Sequence, residues 1–135
     1  MPAIGLVFTS IGFIIPALFA KHKKHIKDAK IITTLTVSSV LYHGTLHPMA
    51  HFFDMIVAHS VAINYLCRGI KNLVDHRRRI HAFGMLFGCM STHIYYNKSL
   101  PIKNDKLSRK WHMKVHATAQ VALLAFILGN PKRIE

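Results

Sequence analysis

From Ile4 to Ala20 the chain runs for seventeen residues without a Lys, Arg, Asp, Glu or His. A helix that packs on a soluble core keeps a polar stripe returning every three or four residues, and this stretch carries no charge to build one. Its length matches the roughly 17 to 25 apolar residues that cross hydrocarbon as a helix. Four more apolar runs follow at 31–47, 49–67, 80–96 and 111–128. The pattern predicts an all-α fold, a multi-pass transmembrane helical bundle of about five spans that makes residues 1–135 a single domain.

Charge supports this reading through its distribution. A net charge of +13 in 135 residues invites a nucleic-acid partner, but the basic residues sit between the apolar runs and not along one helix face interleaved with aromatics, so no nucleic acid is expected. With five spans, Lys21 to Lys30, Arg68 to Arg79 and Lys132-Arg133 share one side and hold 12 Lys or Arg, against 6 in Lys98 to Lys114. The positive-inside rule then makes the chain an integral membrane protein with an exterior or lumenal N-terminus and a cytoplasmic C-terminus. An endomembrane is the favoured host. Residues 1 to 20 are read as a retained first span, because the basic cluster follows the apolar stretch, the reverse of a cleaved signal.

Proline is tolerated at the first position of a helix, so Pro48 is expected to open the third span directly after His47, making spans two and three a tight antiparallel hairpin. Gly84 and Gly88 form a small-xxx-small pair suited to close helix contact. Lys21–Lys30, Arg68–Arg79 and Lys98–Arg109 are read as loops. Cys67 and Cys89 have no CxxC spacing and are read as packed core thiols, with palmitoylation of Cys67 the alternative.

The chemistry-bearing residues are those that are costly inside the spans. Ser39 and His43 lie four residues apart, as do His112 and His116, so each pair projects from one helix face. An i,i+4 His pair is also a common interfacial patch, and a Ser in a membrane helix often bonds only its own backbone. Topology brings the groups together. His43, Asp54, His112 and His116 all fall within one to two turns of the exterior side, a layer about 10 Å thick at ~1.5 Å per residue. Three imidazoles with a carboxylate nearby suit zinc with three protein nitrogens and an open fourth position.

These residues resemble a known family. Ser39-xxx-His43, Asp54 eleven residues after that histidine, and a late His112-xxx-His116 look like the signature of the CREST superfamily of membrane hydrolases. Ser39-Val40-Leu41-Tyr42-His43-Gly44-Thr45-Leu46 with Phe53-Asp54 downstream is most similar to the alkaline ceramidases. The match covers about a third of the chain, residues 36 to 60 and 108 to 126. It implies Zn2+ held by His43, His112 and His116, with Asp54 orienting the water that zinc activates and Ser39 assisting as a donor, either from behind the groups that touch the metal or to an oxyanion. The implied activity is hydrolysis of a lipid amide or ester, the amide of ceramide first, with a membrane lipid as substrate and the bilayer as surroundings. The family pattern has seven spans where this chain has five, which thins the cavity and leaves homo-oligomerisation open as a way to complete it. The acidic, Trp-containing calcium region of alkaline ceramidases has no counterpart in Met1 to Gly12.

His51 can support Asp54, and His47, His59 and His93 can line the cavity, although a packing or interfacial role is the plainer reading of each. His22, His25, His76 and His81 flank the cytoplasmic loops and are expected to be solvated. Two other function classes fit the same residues. One is a membrane haem or electron-transfer protein with axial histidines such as His43 and His116; the other is a non-catalytic structural membrane protein.

Overall fold

The computed structural model describes residues 3–76 and 78–130. Six α-helices and one π turn make five rods. Helices α1 (Ile4–Ile11) and α2 (Ile14–His22) form the first, α3 (Ile26–Thr45) the second and α4 (Pro48–His76) the third. The fourth is α5 (Arg79–Ile94) continued by the π turn Tyr95–Ser99, and the fifth is α6 (Asp105–Gly129). There is no strand among the described residues. Ile4–His22 is the one rod there that is by itself long and apolar enough to cross a membrane. The other rods extend past the apolar runs into charged sequence. Thus Lys27 to Lys30 belong to α3, Arg68 to His76 to α4, and Asp105 to Lys110 to α6, so the three expected loops are short and their charges mostly helical. Asn104 caps α6 by accepting from the Leu107 amide at 3.1 Å, one of the orphan donors of a helix start. Arg77 and Lys132-Arg133, used in the topology argument, lie outside the described residues, as does the side chain of His76.

The first rod is broken where the sequence predicts a continuous span, and Pro16 supplies the reason. It has no amide hydrogen to give to Gly12, four residues back, and its ring crowds that carbonyl. The chain therefore turns at Gly12-Phe13. The Phe13 amide bonds the Ser10 carbonyl at 3.1 Å, and the Thr9 carbonyl is taken by Gln120 Nε2 of α6 at 2.7 Å. A Cβ on Gly12 would lie 2.7 Å from the Gln120 amide, so glycine is what lets the break approach α6. The hairpin at His47-Pro48 forms as expected, turned by Leu46 in the left-handed region (φ 55°).

The far end of the bundle is locked by a polar group. Asp28 of α3 is 3% exposed and accepts both branches of the Arg68 guanidinium, one at 3.1 Å, and Asn130 Nδ2 at 3.1 Å. The hydrogen bonds to Asp28 raise the Arg68 pKa above its ordinary value, so the cation persists at any working pH. Residues read as loop charges thus tie α3, α4 and the end of α6 together. Three further expectations change at this end and beside it. His81 and His25 are buried, not solvated. His81 packs where α5 meets Gly129, whose added Cβ would lie 2.6 Å from its Nε2. Gly84 makes the expected close contact, with Phe126 and the Ala122 carbonyl at 3.2–3.3 Å from an added Cβ, while Gly88 meets nothing within 4 Å. Cys67 and Cys89 are both exposed.

Candidate metal centre

His43 stands in the last turn of α3, His112 and His116 one turn apart on α6. One nitrogen from each ring lies within 4.8 Å of the other two. The rings meet edge to face, with centroids 5.0 Å apart for His43 and His112, 5.2 Å for His43 and His116, and 4.9 Å for His112 and His116. His43 and His116 are buried at 2% and 5% exposure. His43 Nε2 is buried with no hydrogen-bond partner among the described residues. A buried polar atom without a partner is costly, and here it belongs to a cluster of three imidazole donors.

The Nδ1 atoms of the two α6 histidines are engaged. Thr9 Oγ1 of α1 lies 2.8 Å from His116 Nδ1, and Ser99 Oγ, at the end of the π turn, lies 3.4 Å from His112 Nδ1. Phe13 adds its ring edge-on to His116 at 5.5 Å, and Tyr95 does the same to His112 at 5.6 Å. Metal-binding histidines ordinarily hold their second nitrogen to an oxygen in this way, which fixes the tautomer and the ring plane. None of these four residues was singled out from the sequence. Pro16 was the available signal for Thr9 and Phe13, since a proline four residues after Gly12 breaks the first rod beside them.

Asp54 lies outside the tight histidine group but on the wall of the same cavity as His112, His116 and Ser39. Its Oδ1 accepts from Ser38 Oγ at 2.8 Å. Ser39, the serine chosen by its spacing to His43, bonds Ser10 Oγ at 2.9 Å instead. The carboxylate is therefore oriented by the neighbouring residue, and Ser39 ties α3 to α1 while still lining the cavity. His51, His59 and His93 reach the cavity wall; His47 does not and accepts the Met49 amide at its Nδ1, 3.2 Å away. His51 stacks on Tyr42 at 4.5 Å, and His59 pairs with the Tyr96 hydroxyl at 2.7 Å.

Two of the three clustered imidazoles, His112 and His116, line an apolar cavity of about 650 Å3 that also has the serine-oriented Asp54 carboxylate on its wall, and His43 stands behind them. Such a set can hold a divalent cation and keep a base near it. No protein-family model, curated protein or solved structure matches the chain.

Proposed function

We propose that the chain is a multi-pass membrane hydrolase that uses a zinc ion at His43, His112 and His116 to cleave a lipid amide or ester, as the ceramidase-like motif implies. The observation that carries the reading is the unpartnered, buried Nε2 of His43 beside two imidazoles whose outer nitrogens are near hydroxyls. A tetrahedral zinc with bonds of ~2.0–2.1 Å needs nitrogens roughly 3.4 Å apart. The three side chains lie within 4.8 Å, a difference that small ring rotations close. Neutral imidazoles without a thiolate, in an all-nitrogen set with a fourth position open, suit zinc in its catalytic form. Three-way convergence favours one ion over haem, which needs two axial rings separated by a macrocycle.

Bound there, zinc supplies the Lewis acidity that makes water a nucleophile near neutral pH. The protein's own groups do the rest. Asp54, held by Ser38, accepts the proton of the attacking water and delivers it to the leaving amine or alkoxide. Ser39 stands on the cavity wall, but its one hydroxyl hydrogen goes to Ser10 Oγ at 2.9 Å, because Ser10 gives its own to the Leu6 carbonyl at 2.7 Å. Donation to a carbonyl oxygen would require Ser39 to leave that bond. The apolar lining receives hydrocarbon and keeps bulk water out.

The membrane half of the proposal is supported by what the bundle exposes. Every helix turns large apolar side chains outward: Phe8 at 70%, Leu18 at 58%, Val37 at 52%, Ile63 at 62%, Leu86 at 57% and Leu128 at 49% exposure. Soluble monomers rarely present so much contiguous apolar surface.

The test is elemental analysis of carbonate-extracted, detergent-purified protein, with turnover of labelled ceramide and phospholipid by the wild type and by His112→Ala, His116→Ala and Asp54→Asn. The wild type should carry one zinc, the His variants little, and Asp54→Asn should keep zinc and lose turnover. Wild type without zinc, or His variants that bind it equally, overturns the metal site. Full release from membranes by carbonate overturns the multi-pass reading.

A further inference from the structure

The cavity below the histidines is long as well as apolar. Its inner wall on α4 is Asp54, Ala58, Val61 and Tyr65, with the exposed Met55, Ile63 and Leu66 leaving that side open. On α6 it is lined by His112, His116, Ala119, Ala122 and Phe126, and the inner sets lie at steps of three and four on one helix face. The two helices barely touch, so the stripes stand apart with the cavity between them. His112, His116, Asp54 and Tyr42 stand at one end of it. At the other end the Tyr65 and Phe126 rings lie 5.7 Å apart at 31°, and the Arg68 guanidinium covers Tyr65 from behind at 5.2 Å.

Phe126 has no room to swing away. A Cβ on Gly69 would lie 2.5 Å from its ring, and one on Gly84 3.2 Å, so the ring fills the notches that these glycines leave in α4 and α5. Behind the floor stands the Asp28–Arg68–Asn130 lock. An apolar slot with a reactive head and a rigid aromatic end measures the length of whatever lies in it.

We propose that this slot takes one straight acyl chain and that Phe126, braced by Tyr65, is the stop that sets its length. The inference rests on the hydrolase reading only for the identity of the head group. At ~1.5 Å per residue, Asp54 to Tyr65 spans about 17 Å and His112 to Phe126 about 21 Å. Half of a ~30 Å hydrocarbon core is about 15 Å, the depth filled by one membrane acyl chain. With C–C bonds of ~1.5 Å an extended chain advances about 1.3 Å per carbon, so the slot admits about 13 to 16 carbons. The substrate class is then a long-chain N-acyl or O-acyl lipid, with its carbonyl beside the histidines and its chain directed to the floor.

The test is displacement of a fluorescent fatty acid by saturated fatty acids of graded length, on digitonin-purified protein both zinc-loaded and chelated, with turnover of matched acyl amides read in parallel. Wild type should bind best at about 14 to 16 carbons. Phe126→Ala should move the optimum about three carbons longer. Ala119→Leu, which obstructs the slot without removing a core ring, should move it to about eight carbons, the ~10 Å from His112 to residue 119. Identical length profiles in the wild type and Ala119→Leu overturn the slot, whether or not Phe126→Ala folds. Length-selective binding with no turnover in zinc-loaded protein leaves the slot standing and removes the hydrolase; turnover indifferent to chain length does the reverse.

Discussion

Thr9→Val isolates the support beneath His116. The Thr9 hydroxyl has one hydrogen and two carbonyl acceptors in its own helix, Leu6 at 3.1 Å and Gly5 at 3.2 Å. Its oxygen therefore has lone pairs to accept His116 Nδ1–H at 2.8 Å, which leaves Nε2 bare for a metal. Valine matches threonine in shape and suits an apolar helix, so the substitution removes the hydroxyl with little else. His116 is 5% exposed, so water does not readily replace the lost acceptor, and the ring is freed to turn or to take the other tautomer. Loss of such a support costs about 10- to 100-fold in metal affinity, which is about 1.4 to 2.7 kcal/mol. Competition against a chromophoric chelator measures it, and the visible spectrum of the Co2+-substituted protein reports ligand geometry. Thr9→Ser keeps the hydroxyl and should restore both affinity and spectrum. Equal affinity and an unchanged cobalt spectrum in Thr9→Val would show that the 2.8 Å contact does not orient a ligand.

Two further outcomes test the scaffold. Removing one partner of a buried ion pair costs about 3–5 kcal/mol when the other charge stays uncompensated. Asp28 is almost wholly enclosed while the Arg68 side chain is 38% exposed, so Arg68→Ala should destabilise by about 2–3 kcal/mol and Asp28→Asn by less, because a half-exposed guanidinium can be hydrated. Denaturation of both variants in one detergent checks the order, and a larger loss in Asp28→Asn would contradict it. Gly84→Ala should loosen α5 on α6 by about 1–3 kcal/mol through overpacking against Phe126, whereas Gly88→Ala, with open space around its Cβ, should be neutral or gain up to about 1 kcal/mol from helix propensity. Equal melting shifts in the two would mean that Gly84 does not contact α6 as described.

How far the sequence carried the fold depended on whether a signal was periodic or particular. Length and apolarity were enough for five rods, and the proline rule for the start of α4, because each follows from backbone physics that any neighbour leaves unchanged. Helix ends were not readable from charge. Lys27, Lys30, Arg68 and Lys71 have good helix propensity and continue their rods, and Asp28 with Arg68 joins two segments 40 residues apart, a pairing no local pattern encodes. The Ser38–Asp54 contact has the same origin. Spacing shows that Ser39 shares a face with His43, but that face points at Ser10 of α1, while the adjacent Ser38 is turned toward α4 and finds Asp54.

The histidine cluster was legible for a different reason. Two i,i+4 patterns placed at matching depth suggest that His43, His112 and His116 can meet, and the ceramidase-like motif names them as one ligand set. What holds them was hidden because it comes from breaks in regular structure. Pro16 interrupts the first rod and Gln120 takes the freed Thr9 carbonyl, which fixes Thr9 against His116; the π turn, with Leu100 bonding the Tyr95 carbonyl at 2.8 Å, brings Ser99 to His112. Unbroken α-helices at those two places would rotate both hydroxyls relative to the ligands. The irregularities lie against the histidines and their hydroxyls reach the outer nitrogens, as expected where helix distortion serves a site.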